Sequence, residues 1–95
     1  MPEQTDLYSR RPSRIVLYGV DWCPDCRRAR AVLAREQIAY LDVNVDRDPQ
    51  AESFVKELNR GFRSVPTIIF PDGRVLVEPR DDQLSEAVKA APANG

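Results

Sequence analysis

The order of hydrophobic patterns along this chain predicts an α/β domain, a four-stranded mixed sheet flanked by three helices. Three observations carry the prediction. A run of β-formers, Ile15-Val16-Leu17-Tyr18-Gly19, gives way to a helical period, and a second strand-then-helix pair follows it. Such a β-α-β-α order requires a crossover and makes the first two strands parallel. Beyond residue 65, two more short apolar runs are separated by the turn Pro71-Asp72-Gly73-Arg74, so the later strands are antiparallel. The chain has 95 residues, 42% of them hydrophobic, which is enough for one core and hardly for two.

Residues 1–13 lack periodicity and contain Pro2 and Pro12, so they read as a flexible tail before a domain spanning 14–91. Their arginines are followed by no apolar stretch of the kind a signal peptide needs. Ile15 to Gly19 is the first strand. Pro24 then suits a first helical position, and Cys26, Ala29, Val32 and Leu33 recur at helical spacing, with Arg27, Arg28, Arg30 and Arg35 on the solvated side. Residues 39 to 45 alternate as a second strand. Asp48 is a good N-cap and Pro49 a good N1 for a second helix that buries Ala51, Phe54, Val55 and Leu58 and stops near Gly61. The third strand is Val65 to Phe70. Proline at its start fits only a strand end or edge, as a plain turn or as a cis bond that frees the backbone of Val65 for pairing. Val75 to Val77 returns antiparallel, and a last helix begins at Asp81 or Asp82 with Leu84, Ala87 and Val88 inward. Residues 92–95 read as a frayed end.

A formal charge of −1 gives no reason to expect nucleic acid, and no apolar run approaches a membrane span. The chemistry concentrates in Trp22-Cys23-Pro24-Asp25-Cys26, which holds both cysteines. Two thiols at this spacing lie one helical turn apart, close enough to form a disulfide reversibly. At a helix mouth, unpaired N–H groups and the dipole favour a thiolate, so Cys23 is the candidate nucleophile and Cys26 the candidate resolving thiol. Arg27 and Arg28 add favourable potential, which Asp25 opposes. Zinc would need four ligands, and the chain has no His and no second cysteine pair, so no metal site is expected. A static disulfide would close too short a loop to stabilise much. Trp22 reads either as an ordinary half-buried aromatic or as a shield on one side of Cys23. A Cys-x-x-Cys pair beside a strand-then-helix pattern points to redox work in a reducing cytoplasm.

Three segments, Trp22 to Cys26, Asn59-Arg60-Gly61-Phe62-Arg63-Ser64-Val65-Pro66-Thr67 and Phe70-Pro71-Asp72-Gly73, give the chain a resemblance to the glutaredoxins. Within that branch of the thioredoxin superfamily it looks most like the mycoredoxins of actinobacteria, over about Arg14 to Ala90. The resemblance implies a thioredoxin-like, glutaredoxin-type fold with Cys23 as nucleophile, Cys26 as resolving cysteine and Pro66 as a cis-proline. It further implies that Trp22, Arg63, Val65 and Asp81 or Asp82 line a groove for a low-molecular-weight thiol. The implied activity is reduction of disulfide-bearing or S-thiolated proteins, by a monomer, with the small thiol as co-substrate and no metal or organic cofactor. Three positions depart from the family pattern. Val20 stands where glutathione-using relatives carry a basic residue, Glu78-Pro79 replaces a Gly-Gly pair, and Asp25 sits between the cysteines. The first two favour mycothiol over glutathione. Three other readings stay open: a dithiol redoxin recharged by a thioredoxin-type flavin reductase, an iron-sulfur carrier, and a non-catalytic binding module.

Overall fold

The computed structural model describes residues 6–90. The central strand β1 (Ile15–Gly19) is buried along its whole length, which requires cover on both faces. Its side chains alternate accordingly. Ile15 and Leu17 enter one apolar cluster, Val16 and Tyr18 the other. Strand β2 (Tyr40–Asn44) pairs parallel to β1, from Ile15 opposite Tyr40 to Gly19 opposite Asn44. On the other side β3 (Thr67–Ile69) runs antiparallel to β1, and β4 (Val75–Val77) antiparallel to β3, giving the order β2-β1-β3-β4. This is the four-stranded mixed sheet the sequence predicts.

Helices α1 (Pro24–Arg35) and α3 (Asp81–Ala90) cover one face, where Ala29, Val32, Leu33, Leu84 and Val88 close over Leu17, Ile68 and Phe70. Helix α2 (Pro49–Leu58) covers the other, with Ala51, Phe54 and Val55 over Val16, Tyr18 and Ile69. Local chemistry sets the helix starts. The Asp48 carboxylate accepts from the Ala51 N–H at 3.0 Å ahead of Pro49. Before α3, the Gln83 side chain accepts from the Arg80 N–H at 2.9 Å, half of a capping box. Two strands are shorter than expected. Residues Val45–Arg47 form a 3₁₀ turn in which the Asn44 side chain accepts from the Asp46 N–H, and this ends β2. In β3 the ladder begins only after Pro66, which has no N–H to give, and ends at Phe70, whose N–H closes the hairpin on Arg74 at 2.9 Å.

The expected flexible tail over 1–13 does not hold for residues 6–13. Asp6 is 1% exposed, and its carboxylate accepts from the Ser13 N–H at 2.6 Å and the Ser13 hydroxyl at 2.8 Å, with Arg14 Nε 3.4 Å away. The Tyr8 hydroxyl donates to Asp48 at 2.7 Å, its N–H donates to the Tyr18 hydroxyl at 2.9 Å, and its ring meets Phe54 edge-on. Composition marks this segment as polar; Asp6 and Tyr8 are tied to the fold by their polar groups, while Arg10 and Arg11 are exposed. The rest of the expected tail and the expected frayed end at 92–95 lie outside the described residues. Among the described residues no helix is long and apolar enough to cross a membrane.

Candidate active site

The cysteine loop leaves the carboxyl end of β1, where open α/β sheets place their sites. Val20 is buried, Asp21 and Trp22 are exposed, and Cys23 takes an extended conformation (φ −90°, ψ 122°) as N-cap of α1. Its carbonyl accepts from the Arg27 N–H at 3.1 Å. Its side chain caps nothing, so the half-buried Cys23 sulfur stands at the open, positive end of the helix. One turn in, Cys26 is fully buried, and both cysteines are free thiols. Most of α1 rests on one face of the sheet. Its first turn passes over the end of β1, which puts Cys26 in the opposite cluster with Val16, Tyr18 and Phe54. That passage needs Gly19. A Cβ on it would lie 2.9 Å from Cys26 Sγ and 3.1 Å from Leu17 Cδ2. Read in sequence, Gly19 is only the last residue of a strand.

The two sulfurs sit in different surroundings. Burial pushes the Cys26 thiol up to about 11, and the neighbouring Cys23 sulfur pushes the same way against the Val20 N–H and the Arg30 charge. Arg30 differs from its sequence reading. It belongs to the run of arginines on the solvated side of α1, yet its side chain is only 19% exposed. Its Nε donates to Asp42 on β2 at 2.9 Å and its Nη1 to the Val20 carbonyl at 3.2 Å. Asp25, whose charge opposes a Cys23 thiolate, forms an ion pair with Arg28, and Arg27 is exposed.

The rim opposite Cys23 is the segment before β3. The Val65-Pro66 peptide bond is cis, as the resemblance implies, and Val65 and Cys23 pack against the same apolar cluster. The Thr67 hydroxyl donates to the Ser64 carbonyl at 2.7 Å, and the Asn59 amide donates to Thr67 Oγ1 at 3.2 Å and to the Val55 carbonyl at 3.0 Å, which ties the rim to α2. The Glu78 N–H donates to the Pro66 carbonyl at 2.9 Å, with Glu78 itself at a φ of 48° where glycine is favoured.

Trp22 and Arg63 are brought together through a residue the sequence did not single out. Trp22 is 64% exposed rather than half-buried, and its indole N–H donates to Asp46 Oδ2 at 2.8 Å. The other Asp46 oxygen takes Arg63, whose Nε lies 2.6 Å from Glu52 Oε2 without an aligned hydrogen bond. The only advance signal of Asp46 is its place one residue past the expected end of β2. Asp81 and Asp82 open α3 in exposed positions, with Asp82 paired to Arg80 at 3.1 Å. Among the described residues no hydrogen bond or ion pair ties either one to the cysteine loop.

A free dithiol at a helix start, beside a cis-proline at the same end of a four-stranded sheet with helices on both faces, is the thioredoxin-like fold in its glutaredoxin form. The glutaredoxin family model matches residues 15–76, and the chain belongs to that family. A Mycobacterium tuberculosis protein classed with the glutaredoxins is 36% identical over 81% of this chain and 93% of its own length. Mycoredoxin 1 of Corynebacterium glutamicum is 33% identical over 82% of this chain and 96% of its own. Among solved structures, the glutaredoxin-like NrdH-redoxin of Escherichia coli superposes with a TM-score of 0.66 at 26% identity, over 84% of this chain and 97% of that one. The protein is a redox protein of the glutaredoxin kind.

Proposed function

We propose that the chain is a thiol-disulfide oxidoreductase that reduces mixed disulfides between proteins and a low-molecular-weight thiol, mycothiol in preference to glutathione. The observation that carries this reading is the division between the two thiols: Cys23 reachable at the positive end of α1, Cys26 sealed beneath it with its proton held by burial. Cys23, as thiolate, attacks the small-thiol sulfur of the mixed disulfide. The old S–S bond breaks, the protein leaves as a thiolate that takes a proton from water, and the small thiol stays on Cys23. A second small thiol, as thiolate, attacks that new disulfide, releasing the symmetric small-thiol disulfide and free Cys23. The net exchange consumes one free small thiol, which is oxidised into the symmetric disulfide as the protein sulfur is reduced to a thiol. Cys26 can instead attack the Cys23 sulfur and expel the small thiol, closing the intramolecular disulfide. The Val65 backbone and Pro66 would hold the three sulfurs near a line, which is an orientation effect. No metal or organic cofactor enters these steps, and a reducing compartment such as the cytoplasm suits them.

The preference for mycothiol rests on the groove's cations. Val20 is buried in the core, so the position that is basic in glutathione-using relatives offers no charge to a ligand carboxylate. Arg63 is engaged by Asp46 and Glu52. A sugar-based head does not need those charges. The similarity to Mycoredoxin 1 supports the same reading. The test is turnover of a mixed-disulfide substrate by wild type and Cys26→Ser, with mycothiol and glutathione supplied separately. Activity with mycothiol that survives Cys26→Ser within about threefold is expected, because the monothiol route needs only Cys23. No turnover with either thiol sinks the reading.

A second reading is favoured by the likeness to NrdH-redoxin, whose structure is described as having a thioredoxin-like activity profile. A dithiol redoxin of that type would lose all activity in Cys26→Ser and would accept electrons from a flavin reductase.

A further inference from the structure

The Arg30 side chain reaches beneath the site with each nitrogen differently placed. Nε is held by Asp42 and Nη1 by the carbonyl of Val20, the residue that leads into the cysteine loop. Nη2 is turned toward the end of β1. It stands 3.3 Å, and Cys26 Sγ 2.9 Å, from the same point, the position a Cβ would take on Gly19, so at most about 6 Å separates them. A guanidinium from the middle of α1 thereby stands near the fully buried Cys26 sulfur. Arg30 cannot swing away without releasing both Asp42 and Val20.

We infer that Arg30 is the positioning residue of the resolving step, holding the cysteine loop through the Val20 carbonyl and stabilising the Cys26 thiolate as it attacks the disulfide on Cys23. The inference rests on the dithiol chemistry proposed above and deepens it. For Cys26 to resolve, its proton passes to water. The Cys26 thiolate then forms a bond to Cys23 Sγ while the Cys23–small-thiol bond breaks and the small thiol leaves as the anion. The negative charge must first exist on a buried sulfur, which is costly without a cation nearby. The other groups that face Cys26 cannot supply that cation. Cys23 is itself in the disulfide at this stage, the Val20 N–H is neutral, and the residues packed from α2 are Ala51, Phe54 and Val55. From β1, the Tyr18 phenol is pushed up to about 12 by burial and stays neutral. Asp42 reaches the sulfur only through Arg30 and tempers it.

Dithiobis(nitrobenzoate) isolates the step. Its first nitrothiobenzoate is released when Cys23 attacks and its second when Cys26 expels the one left on Cys23, so the second phase reads Cys26 alone. In Arg30→Gln the thiolate fraction of Cys26 falls while each thiolate becomes more nucleophilic, so the second release slows about threefold at neutral pH relative to the first. Its pH profile moves up by about one pH unit. Arg30→Lys recovers part of both changes. Asp42→Asn leaves the guanidinium uncompensated and moves the profile the opposite way, to lower pH. Opposite signs from the two ends of one ion pair cannot come from general loosening, and Asp42→Asn keeps the test readable if Arg30→Gln fails to fold. Coincident second-phase profiles for wild type and Arg30→Gln, or an Asp42→Asn profile that stays put or moves up, overturn the inference. The probe needs only the two thiols, so failure of mixed-disulfide turnover would reject the proposed function and leave this result standing.

Discussion

Of the arginine–aspartate pairs around the thiols, one lies beneath the site and one braces its rim. The lower pair joins α1 to β2. Among the described residues Arg30 has a single carboxylate partner, Asp42, and a second nitrogen on the Val20 carbonyl, so it reaches the buried end of the cysteine loop with part of its charge uncompensated. The rim pair joins the 3₁₀ turn to the segment before the cis-proline. Arg63 there meets two carboxylates, Asp46 and Glu52, and Asp46 also holds the Trp22 indole. The same guanidinium chemistry thus serves two ends. Where one carboxylate and one carbonyl hold the cation, its field is left for a sulfur; where two carboxylates hold it, the field is cancelled and the group becomes a brace between loops. The rim presents a tryptophan face over a cation held by two carboxylates, the underside a cation largely withdrawn from solvent.

The largest effect that separates the two regions comes from Gly19→Ala. Its new Cβ would lie 2.9 Å from Cys26 Sγ and 3.3 Å from Arg30 Nη2, against a sulfur and a guanidinium that are each held in place. Overpacking of this kind costs about 1–3 kcal/mol, a drop in Tm of at least about 4 °C for a domain of this size. Asp46→Asn on the rim is expected to change Tm by less than about 2 °C, because exposed ion pairs contribute little. Thermal unfolding of the two variants side by side checks this. Equal shifts would mean that the underside is no more tightly fitted than the rim.

A smaller effect concerns the choice of thiol. Asp46→Asn removes one of the two carboxylates on Arg63 and leaves Glu52 as its partner. A ligand carboxylate could then compete for the guanidinium, and the gain for an exposed charge pair corresponds to about threefold in kcat/KM. The expected outcome is a rise of that size in glutathione-dependent turnover relative to mycothiol-dependent turnover. An unchanged ratio would show that the cancelled charge of the rim does not set the preference.

How much of this was legible in the sequence follows from how local each feature is. The Cys-x-x-Cys loop, the Asp48-Pro49 helix start and the Pro71-to-Arg74 hairpin are written in neighbouring residues, and each forms where the pattern places it. The buried face of α1 matches the helical period residue for residue, Cys26, Ala29, Val32 and Leu33. The features that tune the site join residues far apart. Arg30 meets Asp42 across 12 residues, Arg63 meets Asp46 across 17, and Trp22 meets Asp46 across 24. Periodicity puts Arg30 with the solvated arginines because a helical wheel has no knowledge of the strand beside it. Composition likewise marks residues 6–13 as loose, since nothing local reveals that Tyr8 finds Asp48 and Tyr18. Asp81 and Asp82 come from family likeness alone, and the structure leaves them exposed at the start of α3.

The smallest effect is an acid transition confined to the rim. The Trp22 indole holds the Asp46 carboxyl below its ordinary value of 3.8, and Arg63 adds to this against some loss of hydration. A carboxylate whose folded value is depressed contributes its stabilisation fully above the unfolded value and loses it as pH falls through the lower folded value. The brace therefore stays intact from neutral pH down to 3.8 and opens only below it. Trp22 is the only tryptophan, so its fluorescence reports the event without interference from elsewhere. Wild type is expected to show a flat emission maximum down to pH 3.8 and a small step at lower pH, and Asp46→Asn to show no such step. A wild-type step centred above 3.8 would break the comparison, because it would mean that Asp46 is not held as an anion by its neighbours and that Arg63 is not cancelled on the rim.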